Sequence, residues 1–175
     1  IYWSASYLYK ECGRRFPGLK LIQENNIPMT RGLGSSSACA VAGLVGANRF
    51  LGNPLTKHDL VNLACKIEGH PDNTTPAVTG GLVASAIEGG RVHSVTVPIA
   101  AHIRFGLFIP PFELKTETAR SALPESYSRE DAVYNLSRSA LMTAALFSGS
   151  LENLRVAVQD RLHQPYRAQF IPGLD

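Results

Sequence analysis

The stretch Ile27-Pro28-Met29-Thr30-Arg31-Gly32-Leu33-Gly34-Ser35-Ser36-Ser37-Ala38 constrains this chain more than any other. Two glycines and three consecutive serines stand directly before a long run of apolar and small residues. Gly32 and Gly34 allow a tight turn and a close backbone approach that a Cβ would block. The serines offer hydroxyls and are expected to cap a helix that begins near Ala38. The unpaired N–H groups and positive dipole end of such a helix face the loop, an environment suited to phosphate. The segment holds no lysine and lacks a Gly-Lys-Ser/Thr ending, so it is not a Walker loop. A plainer alternative is a glycine-rich strand-to-helix turn with a serine cap.

The 175 residues suit one large domain or two small ones, with 45% apolar residues to build a core. No run approaches the roughly 18 apolar residues of a membrane span. No basic segment followed by an apolar one opens the chain, so nothing signals secretion. The net charge of +3 comes from scattered residues, too diffuse to argue for nucleic acid. Cys12, Cys39 and Cys65 lack metal-ligand or redox spacing. Cys39 and Cys65 lie in apolar helical patterns, where a buried reduced thiol is expected, and a cytoplasmic setting follows. Tyr2 to Lys10 reads as the middle of a helix and Ile171 to Asp175 does not read as an end, so a fragment is expected.

Along the chain, residues 1–13 read as helix and Leu19 to Glu24 as a short strand. Ala38 to Leu51 is almost wholly apolar or small, a helix buried on most sides. Asn53-Pro54 is a turn, and Thr56 with Asp59 resembles a capping box. Leu60, Val61, Leu63, Ala64 and Ile67 then keep helical spacing up to Gly69. Leu82 to Ile87 and Arg91 to Val97 read as a hairpin joined by Glu88-Gly89-Gly90, and Ile103 to Ile109 as a third strand. Thr116 to Leu123, Arg129 to about Phe147 and Leu151 to His163 read as helices, with Ser128/Asp131 and Ser150/Asn153 near two of their starts. Strands and helices mix without a regular βαβ rhythm, which favours an α+β fold with a domain change near Pro98.

Glu68-Gly69-His70-Pro71-Asp72-Asn73 packs four polar side chains into six residues at a helix end. Glycine and proline there impose an irregular backbone that can aim side chains into a cleft. Glu68 suits Mg²⁺, which takes one or two protein oxygens alongside phosphate, and Ser36 could supply the other. Asp72 and Asn73 could accept hydrogen bonds from an ammonium group or a hydroxyl. The plainer alternative is a solvated loop in which Asp72 and Asn73 cap the next turn.

Pro28-x-x-x-Gly-Leu-Gly-Ser-Ser before a small-residue helix resembles the phosphate loop of the GHMP kinases. Glu68-Gly-His-Pro-Asp-Asn73 followed by Pro76-Ala77, and Lys115-Thr116-Glu117-Thr118-Ala119-Arg120 after Pro110-Pro111, narrow the resemblance to the homoserine kinases. Asn135-Leu136-Ser137-Arg138 and Asp160-Arg161-Leu162-His163-Gln164-Pro165-Tyr166-Arg167 complete it over nearly the whole chain. The resemblance implies the two-domain GHMP fold: a domain like the second domain of ribosomal protein S5 over 1–98, then a ferredoxin-like domain over 99–175, incomplete at both ends. The family's N-terminal motif and its C-terminal glycine-rich motif are both missing, and Ser37 and Thr74-Thr75 stand where the family more often has alanine, valine and alanine.

The resemblance also implies roles. Pro28, Arg31, Gly32, Leu33, Gly34, Ser35, Ser36 and Ser37 would hold the ATP phosphates, with Ser36 and Glu68 on Mg²⁺. Asn73 and Asp72 would meet the amino-acid end or the hydroxyl of L-homoserine, with His70 in the site wall. Arg120 and Arg167 would bind the substrate carboxylate, and Thr116 would relay a proton near the reacting hydroxyl. A guanidinium fork matches a carboxylate in a way lysine does not. Arg138 and Arg161 read instead as surface or ion-pair residues. The activity implied is ATP-dependent phosphorylation of homoserine on its side-chain hydroxyl, with no nucleic-acid or membrane partner and a homodimer left open. A kinase for another small alcohol, such as a mevalonate-pathway intermediate, and a non-catalytic ligand-binding module are the alternatives.

Overall fold

The computed structural model describes residues 1–109, 111–112, 114 and 116–173, with the side chains of Thr116 and Glu117 outside that description. Helices α1 (Tyr2–Glu11), α2 (Ser35–Phe50), α3 (Lys57–Glu68) and α4 (Thr74–Thr79) precede strands β1 (Leu82–Glu88) and β2 (Arg91–Val97). Helices α5 (Thr116–Ser121), α6 (Arg129–Ser148), α7 (Leu151–Ala157) and α8 (Gln164–Arg167) follow, and a 3₁₀ turn covers Ala168–Phe170. The backbone groups into two compact units, one of 1–29 with 33–96 and one of 30–32 with 97–173.

In the first unit, α1, α2 and α3 share a core of Ala5, Leu8, Tyr9, Val41, Leu44, Ala47, Leu60 and Ala64. Gly43 sets how closely α1 and α2 approach: a Cβ there would lie 2.1 Å from Ser4 Oγ and 2.3 Å from the Ile1 carbonyl oxygen. The other face of α3 carries Val61 and Cys65 onto Val92 of the hairpin. Asn62 Oδ1 accepts the Val92 amide at 2.8 Å and holds β2 there. Gly89 and Gly90 both adopt positive φ, 56° and 76°, the twist that a two-residue hairpin link requires. Asn48, 4% exposed, bonds both the amide and the carbonyl of Leu55 and so fixes the turn around Asn53-Pro54.

The expected capping box forms at α3: Thr56 Oγ1 accepts the Asp59 amide and the Asp59 carboxylate accepts the Thr56 amide. Gly69 closes that helix at φ 81°. Three expectations give way. Helix α2 begins at Ser35, not Ala38, so its N-cap is Gly34, which has no side chain to cap with, and the serine hydroxyls, inside the helix, take other partners. Leu19 to Glu24 and Ile103 to Ile109 are not strands, since no ladder partner lies beside either among the described residues. The helix expected over Leu151 to His163 stops at Ala157, and the chain turns through 158–163 before α8. Cys39 also differs from expectation: it is half-buried and its Sγ accepts from Gln23 Nε2 at 3.3 Å.

The second unit is built on α6, which α7 packs against. Ser128 caps α6 by accepting the Asp131 amide at 3.0 Å. Ser150 makes no side-chain cap on α7; its hydroxyl accepts from Asn153 Nδ2 at 2.6 Å instead. Among the described residues no helix is long and apolar enough to cross a membrane.

Candidate functional site

The phosphate loop coils through left-handed backbone at three points, Thr30 at φ 53°, Gly32 at 71° and Gly34 at 73°. Glycine meets that demand freely, whereas β-branched Thr30 is an outlier there. Residues 30–32 group with the second unit, where the Leu114 amide donates to the Thr30 carbonyl at 3.3 Å and Arg31 Nη2 to the Pro111 carbonyl at 3.2 Å. Arg31 is thus held by backbone oxygens. Pro28 is exposed, and Leu33 leads into the helix start in the first unit.

Helix α2 begins directly after the loop, in the first unit. Its first ladder bond runs from the Ala38 amide to the Gly34 carbonyl. The amides of Ser35, Ser36 and Ser37 therefore take no acceptor among the described residues, and they stand at the positive end of a helix of 16 residues. The three hydroxyls are sorted by direction. Asn25 Nδ2 donates to Ser35 Oγ at 2.8 Å, while Ser36 and Ser37 donate to Oε1 and Oε2 of Glu68, each at 3.0 Å. Ser37 is 1% exposed and Ser36 is exposed, so Glu68 is anchored from below and open above.

The Glu68-to-Asn73 segment follows directly on α3. Gly69 turns it out of the helix, and Pro71 is buried at the bend. The His70 carbonyl accepts from Thr74 Oγ1 at 3.2 Å, whereas His70 Nδ1 is buried without a partner among the described residues. Asn73 caps α4 by position only, with no side-chain cap bond, and Asp72 is exposed. The plainer expectation, that the two side chains serve as helix caps, is thereby not met. A Cβ on Gly34 would lie 3.3 Å from Asn73 Cγ, so the glycine makes room for that amide at the mouth of the loop. Burial, with the charge of Asp72 added, raises Cys65 above its ordinary value and keeps it a neutral thiol. An open groove of about 500 Å³ that includes Cys12, Asn62 and Cys65 carries none of the motif's polar side chains.

In the second unit, Thr116 opens α5, but its side chain lies outside the described ones, and Lys115 lies wholly outside. Arg120, at the exposed end of α5, makes no side-chain hydrogen bond among the described residues. Arg167 Nε donates to the carbonyl of Ala119 at 3.3 Å, one residue from Arg120. That bond uses one edge of the guanidinium and leaves the Nη1–Nη2 edge, the fork that grips a carboxylate or phosphate. Arg161 is an ion-pair residue as expected, at 3.0 Å from Glu130 and 3.4 Å from Asp131, and it lies with Arg138 over the Tyr134 ring.

The structure therefore gathers Gly34, Ser35, Ser36, Ser37, Glu68 and Asn73 in one unit, and sets Arg120 beside Arg167's anchor in the other. Sequence reasoning gave Ser37 no role toward Glu68, and it gave Asn25 none at all. Both act through single hydrogen bonds to residues 31 and 10 positions away, which spacing does not reveal.

Residues 1–81 match the model of the GHMP kinases N-terminal domain. Over all of its length the chain is 43% identical to a homoserine kinase of Caldicellulosiruptor bescii, and 43% identical to one of Clostridium beijerinckii. It spans 57% and 59% of those two relatives. Among solved structures, 97% of the chain superposes on 55% of a homoserine kinase from Cytophaga hutchinsonii, with a TM-score of 0.79 and 26% identity. A putative homoserine kinase from Listeria monocytogenes is 34% identical, with a TM-score of 0.63 over 83% of this chain and 50% of its own. Residues 1–81 thus resemble the N-terminal domain of the GHMP kinases, and the relatives that the chain matches along its whole length are homoserine kinases.

Proposed function

We propose that the full-length protein is a homoserine kinase, transferring the γ-phosphoryl of ATP to the side-chain hydroxyl of L-homoserine in the cytoplasm. On this reading residues 1–98 form the ATP phosphate-loop domain and 99–175 belong to the following substrate domain. One observation carries most weight: a carboxylate, Glu68, that accepts from the hydroxyls of Ser36 and Ser37 in the first turn of a helix whose first amides take no acceptor among the described residues. The amides suit the phosphates of a nucleotide.

The donor set fits Mg²⁺, a hard cation that takes oxygen ligands and retains waters. Ser36 Oγ and Glu68 Oε1 are the two protein oxygens that would hold it, and they already sit 3.0 Å apart. Bound there, it would neutralise charge on the phosphates undergoing transfer. Ser37 would keep the Glu68 carboxylate oriented through its other oxygen.

Phosphoryl transfer depends chiefly on positioning and charge neutralisation, so a strong base beside the hydroxyl is not required. Asn73 and Asp72 would take the ammonium or the hydroxyl, His70 would form part of the wall, and Thr116 would relay a proton. Arg120 and the Nη edge of Arg167 would hold the carboxylate. A zwitterionic alcohol satisfies both sets, acceptors for its ammonium and guanidinium groups for its carboxylate. Mevalonate-pathway substrates would use only the second.

The test is ADP release by the full-length protein with Mg-ATP and L-homoserine, mevalonate, galactose or L-serine. Selective turnover of homoserine, weakened in Arg120→Ala at subsaturating substrate, is the expected result. ATP binding with no turnover of any alcohol would overturn the assignment in favour of a binding module.

A further inference from the structure

Two of the sequence motifs, Asn135-to-Arg138 and Asp160-to-Arg167, have no part in the phosphate loop, yet they meet in one network. Asp160 sits in the turn before α8 with its side chain only 7% exposed. Its Oδ2 accepts the amides of His163 at 2.7 Å and Gln164 at 2.5 Å, the backbone that starts α8. Its Oδ1 accepts from Asn135 Nδ2. Asn135 lies on α6 and uses its other end as well, taking the Arg161 amide on Oδ1 at 2.8 Å. The same turn is pinned again by Tyr134, whose hydroxyl donates to Gln159 Oε1 at 2.8 Å, and by Tyr127, whose hydroxyl donates to the Leu162 carbonyl at 2.7 Å.

A carboxylate this deeply buried is costly unless it is hydrogen-bonded, and here both oxygens accept hydrogen bonds. The Asn135 amide faces both a carboxylate and a backbone amide from a single position, a donor at one end and an acceptor at the other. The network's output is the seat of α8, whose last residue is Arg167. Arg167's own amide bonds the His163 carbonyl at 3.0 Å, so its backbone hangs from the segment that Asp160 caps.

We infer that Asp160 and Asn135 are positioning residues for Arg167, holding its guanidinium at the carboxylate end of the substrate site. They touch neither substrate nor nucleotide; they act by fixing the four-residue helix that delivers the arginine. This rests on the carboxylate role proposed above for Arg167, and the experiment reads the two separately.

In the full-length protein, D160N keeps an acceptor for the α8 amides but turns a donor onto the Asn135 Nδ2 donor. The swapped pair N135D/D160N restores a donor facing an acceptor with no change in net charge. Expected for D160N is a KM for L-homoserine raised about 10-fold, with kcat and the KM for ATP within about twofold. The swapped pair recovers most of this loss. Added to Arg167→Lys, D160N costs nothing more, because residues acting through one another are non-additive.

A second readout needs no substrate: the Arg167 Nε–H resonance, assigned by its loss in Arg167→Lys, broadens or loses exchange protection in D160N and returns in the swapped pair. Should D160N fail to fold, N135S is read in the same way. An unchanged Nε–H resonance in D160N, or a homoserine KM raised equally with and without Arg167, would overturn the inference. A disturbed resonance with no change in homoserine KM would leave the positioning standing and overturn the carboxylate role of Arg167 instead.

Discussion

Glu68 illustrates how one side chain gathers information that the sequence scatters. Its two oxygens accept from Ser36 and Ser37, one exposed and one buried, so the carboxylate is fixed on its inner side and available on its outer side. The sequence reading put Ser36 and Glu68 together as two oxygen donors, and the structure joins them by a hydrogen bond. The Ser37 bond was not legible, because a serine in that position reads equally well as a helix cap. Asp160 makes the same point in the second unit. Burial pushes its pKa up, but hydrogen bonds from the Gln164 amide, Asn135 and the His163 and Leu162 amides outweigh that and hold it below the ordinary carboxylate range. A depressed folded-state value stabilises the fold at pH above the unfolded value of about 3.9, and the stabilisation is lost as pH falls through the lower folded value. The difference in melting temperature between the unaltered protein and D160N is therefore expected to be largest near neutral pH and to shrink below about pH 4. A gap unchanged from pH 7 to pH 3 would show that the Asp160 charge does not contribute.

At the scale of elements, helices were read well where their caps are written locally. Thr56 with Asp59 and Ser128 with Asp131 each form within four residues, and the structure keeps both. Strands fared differently. The glycine-linked hairpin carries its partner with it, whereas Leu19 to Glu24 and Ile103 to Ile109 have strand composition without a neighbouring ladder. Phe105, Leu107 and Phe108 are accordingly 66%, 71% and 98% exposed. Strand propensity describes fit to a pleated surface, and it creates no surface by itself. The α1–α2 contact was invisible for another reason: Gly43 looks like any small residue in an apolar helix. Its replacement by alanine brings a methyl within 2.3 Å of backbone, which side-chain motion alone does not relieve. Gly43→Ala is expected to cost about 1–3 kcal/mol of unfolding free energy. Denaturant unfolding checks this, since alanine in a helix interior would otherwise stabilise by up to about 1 kcal/mol. A stabilised variant would show that α1 and α2 do not approach as closely as described.

Across the whole molecule, the proposed site residues divide between two compact units: Gly34 to Ser37, Glu68 and Asn73 lie in one, and Arg120 and Arg167, with Arg31 and Gly32, in the other. The α+β class and the likeness to the GHMP kinases were both legible, because the glycine-serine loop and the Glu-Gly-His-Pro-Asp-Asn segment each combine rare residue types at fixed spacing. The network seating Arg167 was not, since its members come from motifs 25 residues apart whose purpose is mutual. The chain spans just over half the length of the curated relatives compared, so activity belongs to experiments on the full-length protein.

The most direct test of a divided site is kinetic: compare Ser36→Ala with Arg167→Lys, varying Mg²⁺ and L-homoserine independently at saturating ATP. The account predicts that Ser36→Ala raises the Mg²⁺ needed for half-maximal rate about 10-fold and leaves the homoserine KM in place, while Arg167→Lys does the reverse. A homoserine KM that moves with Ser36→Ala but not with Arg167→Lys would contradict it.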